Sequence, residues 1–159
     1  MVTQQVQNWV LLSYRMPRQP STPRIAVWRK LKQLGVAQIG DGLVALPEDA
    51  RTKEHLEWVA AQVVEADGQA IVWLAAPSSR RHCEALVQQM REARTQEYDE
   101  LLDEITAHGP TADRRTIARW RRQWRRIDRR DYLRAPHRDT ARIAIDQLAR
   151  QDQPSEVRR

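Results

Sequence analysis

The chain has 159 residues, a length that suits one domain of ordinary size or a small domain with a helical extension. Apolar residues make up 41% of it, enough for a packed core, and the single cysteine excludes a disulfide framework or a cysteine-based zinc site within one chain. The formal net charge of +6 arises from 27 basic residues, nearly all arginine, against 21 acidic ones, and it points to an anionic partner.

The compartment can also be predicted. The sequence contains no run of about 18 apolar residues that could cross a membrane, and its start lacks the pattern of a signal peptide. One unpaired cysteine fits a reducing compartment. We therefore expect a cytoplasmic protein without membrane association.

The first elements alternate between strand and helix. Residues 8–16 (NWVLLSYRM) predict a buried strand that stops at Pro17, and the prolines that follow predict a stiff loop. A helix then begins with Ser21 and Thr22 as candidate caps and ends at Gly35. Its expected inward face consists of Ile25, Trp28, Leu31 and Leu34.

The same alternation continues to residue 76. Residues 36–39 and 43–46 predict two short strands, joined by Gly-Asp-Gly at 40–42. A second helix is expected from Thr52 to Gly68, and residues 70–75 (AIVWLA) predict a fully buried strand. The order β-α-β-β-α-β indicates an α+β fold, with a ferredoxin-like domain over residues 8–76.

From Ser78 onward the apolar period stays helical, which predicts a C-terminal helical extension over residues 78–150. A long helix is expected to end at His108-Gly109-Pro110, and Asp113 is the candidate cap of the next, which runs to about Arg130. A last helix is predicted from about Asp139 to Arg150. Residues 151–159 are expected to be a flexible tail.

The strongest local signal is the segment 114–130 (RRTIARWRRQWRRIDRR). On a helix Ile117, Trp120, Trp124 and Ile127 form a narrow apolar seam, so we expect the tryptophans to be core residues. Guanidinium groups carry permanent charge in a planar fork that suits phosphate. The predicted DNA-binding residues are Arg114, Arg115, Arg119, Arg121, Arg122, Arg125, Arg126, Arg129 and Arg130.

A competing interpretation assigns these arginines to neighbouring acids. The segment 97–104 (EYDELLDE) holds five acidic residues just before the turn at Gly109-Pro110, where an antiparallel helical pair would place them beside the arginines. With Asp128 they could neutralise at most six of the nine arginines. Some positive surface is therefore expected to remain exposed.

A second candidate site lies at the end of the first strand. Backbone N–H groups at the start of the first helix, together with nearby arginines, could hold a phosphate or a small tetrahedral dianion. The alternative is that the hydroxyl groups only cap the helix and that the arginines are solvated. The candidate oxyanion-binding residues are Arg15, Arg18, Ser21, Thr22 and Arg24.

Nothing in the sequence assembles a catalytic or metal site. His55, His82, His108 and His137 lack metal-ligand spacing, and Cys83 is expected to pack in the core. The sequence contains no nucleophile elbow, P-loop or paired-carboxylate motif. We expect a non-enzymatic protein without a cofactor, a catalytic residue or a metal.

Three segments carry a resemblance to a known family. WVLLSYRMPRQPSTPRIAVWRKLKQLG, DGLVALP and RTKEHLEWVAAQVVEADGQAIVWLA, from Trp9 to about Ala76, resemble the N-terminal domain of the chromate-resistance regulator ChrB. A more distant similarity is to the middle domain of PaaX-type repressors and to the small ferredoxin-like nuclease of CRISPR adaptation. That nuclease carries an aspartate after its first strand, where this sequence reads Ser13-Tyr14-Arg15, so the resemblance does not extend to nuclease chemistry.

The resemblance implies a DNA-binding transcriptional regulator of chromate resistance. Its implied partners are double-stranded DNA, chromate or another oxyanion, and a separate sensor domain or chain, because regulators of this family usually carry a further C-terminal domain. A homodimer formed through a strand edge is also expected. The alternative hypothesis is a small oxyanion-binding or protein-interaction module that does not bind DNA directly.

Overall fold

The computed structural model describes residues 8–152, and it divides into two compact units, the first ending at Met90 and the second beginning at Arg91. A four-stranded antiparallel sheet has the order β2-β3-β1-β4. This is the α+β, ferredoxin-like arrangement predicted from the order of the elements. The strands and helices are β1 (Trp9–Arg15), α1 (Ser21–Leu34), β2 (Ala37–Gly40), β3 (Leu43–Pro47), α2 (Ala50–Glu65), β4 (Gln69–Ala75), α3 (Arg80–His108), α4 (Arg114–Arg129) and α5 (Arg138–Gln151).

The core of the first unit begins with the two central strands. β1 and β3 are antiparallel, with Val10 opposite Leu46 and Leu12 opposite Val44, and all four side chains are fully buried. Paired residues share one face of a sheet, so these four form a continuous apolar row. α2 packs against β1 and β4, and it also contacts α1.

The first helix turns a different face to the core from the one predicted. Val27, Leu31 and Leu34 are buried, whereas Ile25 and Trp28 are 43% and 52% exposed. Both sets follow helical spacing, so periodicity alone could not select between them. Pro20 precedes the helix and no side chain bonds to its first turn, so the prediction that Ser21 or Thr22 caps it was wrong.

Gly35 ends α1 as expected, because it adopts the left-handed conformation with φ of 72°. In the following hairpin only Gly42 has a positive φ, of 67°, and its backbone approaches Tyr14. A Cβ atom at residue 42 would lie 2.3 Å from the carbonyl oxygen of Tyr14. Glycine is therefore required at position 42, whereas Gly40 needs no such freedom.

A capping box starts α2. The carboxylate of Asp49 accepts a hydrogen bond from the backbone N–H of Thr52 at 2.7 Å, and the Asp49 N–H donates to the Thr52 hydroxyl at 2.9 Å. The same hydroxyl donates to the carbonyl oxygen of Pro47 at 2.6 Å. Thr52 is fully buried, so this polar side chain is tolerated because its bonds are satisfied.

The expectation of a fully buried fourth strand was wrong. β4 lies at one edge of the sheet, and Ile71, Trp73 and Leu74 are 55%, 49% and 55% exposed. Continuous apolar runs are typical of strands covered on both faces, but composition cannot show where in a sheet a strand is placed.

The second unit has its own core, built from the later part of α3, from α4 and from α5. α3 ends at His108 and Asp113 caps α4, as the sequence predicted. α5 continues through Gln151, and the rest of the predicted tail, residues 153–159, lies outside the described residues. The buried side chains of this core are Tyr98, Leu101, Ile105, Ile117, Trp120, Ile127, Ala135, Ala141 and Ile145.

Candidate nucleic-acid interface

The apolar seam of α4 anchors the arginine-rich helix. Ile117, Trp120 and Ile127 are buried and Trp124 is partly buried against the same core, which confirms that the tryptophans are core residues. Asp113 holds the start of the helix by accepting a 2.8 Å hydrogen bond from the Thr116 N–H. Hydrogen bonds from Thr116 lower the pKa of the Asp113 carboxyl.

Both indole groups of the seam are also fixed by hydrogen bonds. Trp120 Nε1 donates to Glu104 Oε2 at 2.8 Å, and Trp124 Nε1 donates to the carbonyl oxygen of Arg138 at 3.0 Å. The Arg138 guanidinium lies 5.1 Å from the centre of the Trp124 ring, within cation–π range. Rings held in this way cannot stack on bases, so their role in α4 is to orient the arginines.

Four arginines of this segment form ion pairs with neighbouring helices or the residues that end them. Arg119 lies 3.2 Å from Glu104, and Arg130 pairs with Glu97. The other two pairs are Arg114–Asp152 at 3.1 Å and Arg121–Asp146 at 3.5 Å. On a helical wheel these four arginines flank the seam, where acids on α3 and at α5 can reach them.

The acidic segment of α3 covers the arginines much less than it could. Among the described residues, two of its five acids pair with arginines of the segment 114–130: Glu104 with Arg119 in α4, and Glu97 with Arg130, which caps the end of α4. Asp99 pairs with His137. Asp128, expected to neutralise an arginine of its own segment, instead accepts a 2.6 Å hydrogen bond from Arg138 and raises the pKa of that guanidinium. Four arginines of the segment are therefore paired, compared with the maximum of six expected from the sequence. Two of the four pair with Asp146 and Asp152, which the sequence analysis did not consider as partners.

Five arginines remain unpaired among the described residues, and together they form what we call the outer stripe. They are exposed, and because successive helical residues turn by about 100°, four of them fall within about 60° on the side opposite the seam. From first to last the stripe spans about 21 Å of helix axis. Its members are Arg115, Arg122, Arg125, Arg126 and Arg129.

The candidate oxyanion residues lie at the end of β1 and the start of α1. Arg15 is the last residue of β1, Arg18 lies in the connecting loop, and Arg24 follows in the first turn of α1. All three are exposed, and none has an ion pair within residues 8–152. Ser21 and Thr22 begin the helix without a capping hydrogen bond, which leaves its first backbone N–H groups without a side-chain partner.

Sequence reasoning missed a second basic surface, on α1. The helix carries four cations and no acid, and none of the four forms an ion pair with another described residue. Trp28 is exposed beside them, with Lys32 Nζ lying 4.8 Å from the centre of its ring. The signal was the composition STPRIAVWRKLKQL, in which we read Trp28 as core. The four cations are Arg24, Arg29, Lys30 and Lys32.

Residues 8–152 contain neither a metal-binding cluster nor a membrane-spanning helix. No cluster of three or more histidine, cysteine or acidic side chains there could hold a metal ion. None of the described helices is both long enough and apolar enough to span a bilayer. Cys83 is half-buried on α3.

A family model described as "Protein ChrB, N-terminal" matches residues 24–154. The "Protein ChrB" of Cupriavidus metallidurans is 33% identical over 66 residues, which cover 42% of this chain and 20% of that protein. The chain thus aligns with about a fifth of the length of this curated relative. No solved structure matches.

Proposed function

The chain belongs to the ChrB N-terminal family, and from this membership we propose that it acts in chromate resistance as a DNA-binding transcriptional regulator without enzymatic activity. The family match extends from Arg24 to residue 154, so it includes the arginine-rich helix as well as most of the ferredoxin-like unit. We therefore propose that α4 is the helix that contacts DNA.

The outer stripe is the observation that carries this proposal. Its five guanidinium groups are exposed, permanently charged and without an ion pair among residues 8–152, so they are available to an external anion. Double-stranded DNA presents about one negative charge per 1.7 Å of its axis, which offers many phosphates along a 21 Å helix face. A row of cations on a rigid helix matches that polymeric charge better than it matches a single small anion.

The buried seam of α4 leaves its arginines as the groups that can contact the DNA backbone. Trp120 and Trp124 point into the core, so the outer stripe can contact DNA only through arginine, which binds phosphate oxygens or the O6 and N7 edge of guanine. Contacts of arginine with phosphate fix the position of a protein on DNA and carry no direct sequence information. We therefore assign the electrostatic, sequence-independent part of binding to the contacts between these arginines and phosphate.

Fluorescence anisotropy tests the proposal. A labelled duplex from the region upstream of the gene is compared with an unrelated duplex across a salt series, with and without chromate. We expect affinity to fall steeply with salt, by a log–log slope of about 0.9 per phosphate contact. Absence of binding even at low salt would refute DNA binding by this chain.

The effect of chromate in the same experiment locates the sensor. Release of the upstream duplex by chromate, with no such effect of sulfate, would assign sensing to this chain. Unchanged DNA binding in chromate would assign it to a separate sensor domain or chain.

A second candidate function is the binding of a small oxyanion in the first unit. The favouring observation is that the first turn of α1 lacks a side-chain cap while Arg15, Arg18 and Arg24 are exposed nearby. Chromate or sulfate would be titrated while tryptophan emission is followed, because the exposed Trp28 lies one helical turn after Arg24 on α1. A response that the double substitution Arg15→Gln/Arg24→Gln removes would support the site. No response at millimolar anion would rule it out.

A further inference from the structure

β4 is an edge strand with the composition of an interior one. Its sequence, QAIVWLA, contains no charged residue and no proline, and within residues 8–152 it pairs with β1 alone. Ile71 and Trp73 share one face of the sheet and Leu74 lies on the other, and each is about half exposed. Edge strands of proteins that stay monomeric usually carry charges, proline, a bulge or a cover, because a bare edge pairs with other strands.

The opposite edge of the same sheet has such protection. β2 has only four residues, and its pairing with β3 is irregular between Gln38 and Gly40. The Gln89 side chain on α3 donates a 3.3 Å hydrogen bond to the backbone carbonyl oxygen of Gln38. The Gln38 side chain in turn donates a 2.6 Å hydrogen bond to the backbone carbonyl oxygen of Gly40. Because β2 is short, irregular and covered, only β4 among the described strands offers an open edge.

We propose that β4 is a homodimer interface, in which the β4 strands of two copies pair antiparallel about a two-fold axis at Val72. This register overlaps all seven residues, because Gln69 then faces Ala75 of the second copy. It places Ile71 opposite Trp73 twice on one face of the joined sheet. Aromatic and β-branched side chains are favourable cross-strand partners.

The charge of the strand favours a second copy as the occupant. The chain carries +6 overall, so two copies repel each other over most of their surface, but β4 itself brings no like charges together. The absence of cations also makes this edge a poor site for nucleic acid. An antiparallel strand pair is self-complementary, as a two-fold interface requires.

The exposed area indicates a dimer of modest affinity. At about 150–250 Å² for a whole aromatic side chain, the exposed half of Trp73 offers roughly 100 Å² in each copy, and the exposed parts of Ile71 and Leu74 add to it. Strand pairing adds backbone area, which brings the interface towards the lower end of the range for stable complexes. Dimerisation is therefore expected at micromolar concentrations.

Analytical ultracentrifugation of the full chain tests the interface. The wild type should sediment at twice its monomer mass of 18.6 kDa at about 50 μM. Ile71→Lys brings two like charges close together across the joined strands, as charged edge strands do in proteins that stay monomeric, and should raise the dissociation constant by about tenfold. Ile39→Lys is the matched control, because Ile39 lies on the opposite edge strand and is 43% exposed; it should leave the dimer unchanged.

Two results would overturn the interface. One is a monomeric wild type at about 100 μM, well above the concentration expected to saturate a micromolar dimer. The other is a dimer that Ile71→Lys leaves intact while circular dichroism shows that the variant is folded. The measurement contains no DNA, so it stands or falls independently of the proposed regulatory function.

Disulfide cross-linking tests the register. In a Cys83→Ala background, Val72→Cys would face its own copy at about 5 Å between Cα atoms, within disulfide range. Ile71→Cys would be offset from its copy by two residues, at about 7–8 Å, beyond that range. We expect a covalent dimer from Val72→Cys alone. Equal cross-linking at both positions would overturn the two-fold axis at Val72.

Discussion

Replacing three arginines of the outer stripe should weaken DNA binding far more than replacing three arginines that are already paired. The outer variant is Arg115→Gln/Arg122→Gln/Arg126→Gln, and the control is Arg114→Gln/Arg119→Gln/Arg121→Gln. Both remove three charges from the same helix, and glutamine keeps the helix propensity close to that of arginine. The main difference between the variants is whether the lost guanidinium lies within 4 Å of a carboxylate.

The expected magnitude follows from the number of free cations. Each lost phosphate contact lowers the log–log salt slope by about 0.9, so the outer variant should lose about 2.7. At 0.1 M salt this corresponds to an affinity roughly 500-fold lower, or about eightfold per arginine. The log–log salt slope of the control should fall by less than about 1, because its three arginines already form ion pairs with Asp152, Glu104 and Asp146.

Anisotropy with a labelled duplex, titrated between 50 and 200 mM salt, measures both slopes over the range where this dependence is strong. Thermal melts should show that both variants fold, because the exposed ion pairs lost in the control contribute only about 0–1 kcal/mol each. If the control lowers the slope as much as the outer variant, the division between paired and free arginines has no bearing on binding. If the outer variant binds as the wild type does, α4 is not the interface.

Three further outcomes test the fold. Thr52→Val should cost about 1–3 kcal/mol in urea unfolding, because a buried capping hydroxyl is lost, whereas the exposed Thr106→Val should change little. Gly42→Ala should lower the melting temperature and Gly40→Ala should not, because only residue 42 combines a positive φ with a 2.3 Å clash. Burial and, to a lesser extent, the nearby Asp131 carboxylate raise the pKa of the Tyr98 hydroxyl. The free energy of unfolding should therefore be highest below about pH 10, the ordinary pKa of tyrosine, and should decline at higher pH. Tyr98→Phe should make this decline smaller. These assignments would be contradicted by equal unfolding curves for Thr52→Val and Thr106→Val, for Gly42→Ala and Gly40→Ala, or for the wild type and Tyr98→Phe above about pH 10.

Much of the fold could be predicted because its signals are local. Gly35 and Asp113 mark helix ends through backbone geometry and a single side chain, and both predictions are confirmed. The spacing of Trp120 and Trp124 likewise predicted their burial. Such signals depend on residues a few positions apart, which is the range over which a sequence specifies conformation directly.

The failures concern which surface an element presents. On α1 two apolar sets shared helical spacing, and packing buried Val27 rather than Ile25 and Trp28. On β4 an apolar run indicated an interior strand, but the order of the sheet placed it at an edge. In both cases the deciding contact lies many residues away along the chain.

The sequence by itself determined the type and order of the elements, the excess of permanent positive charge and the helix that carries most of it. Only the tertiary structure decided which arginines remain free, because Asp146 and Asp152 reach Arg121 and Arg114 through the packing of α5 against α4. The physical reason is the range of the forces involved. Helix and strand preferences act between neighbours in sequence, whereas ion pairing and strand exposure depend on distances that only the folded chain sets.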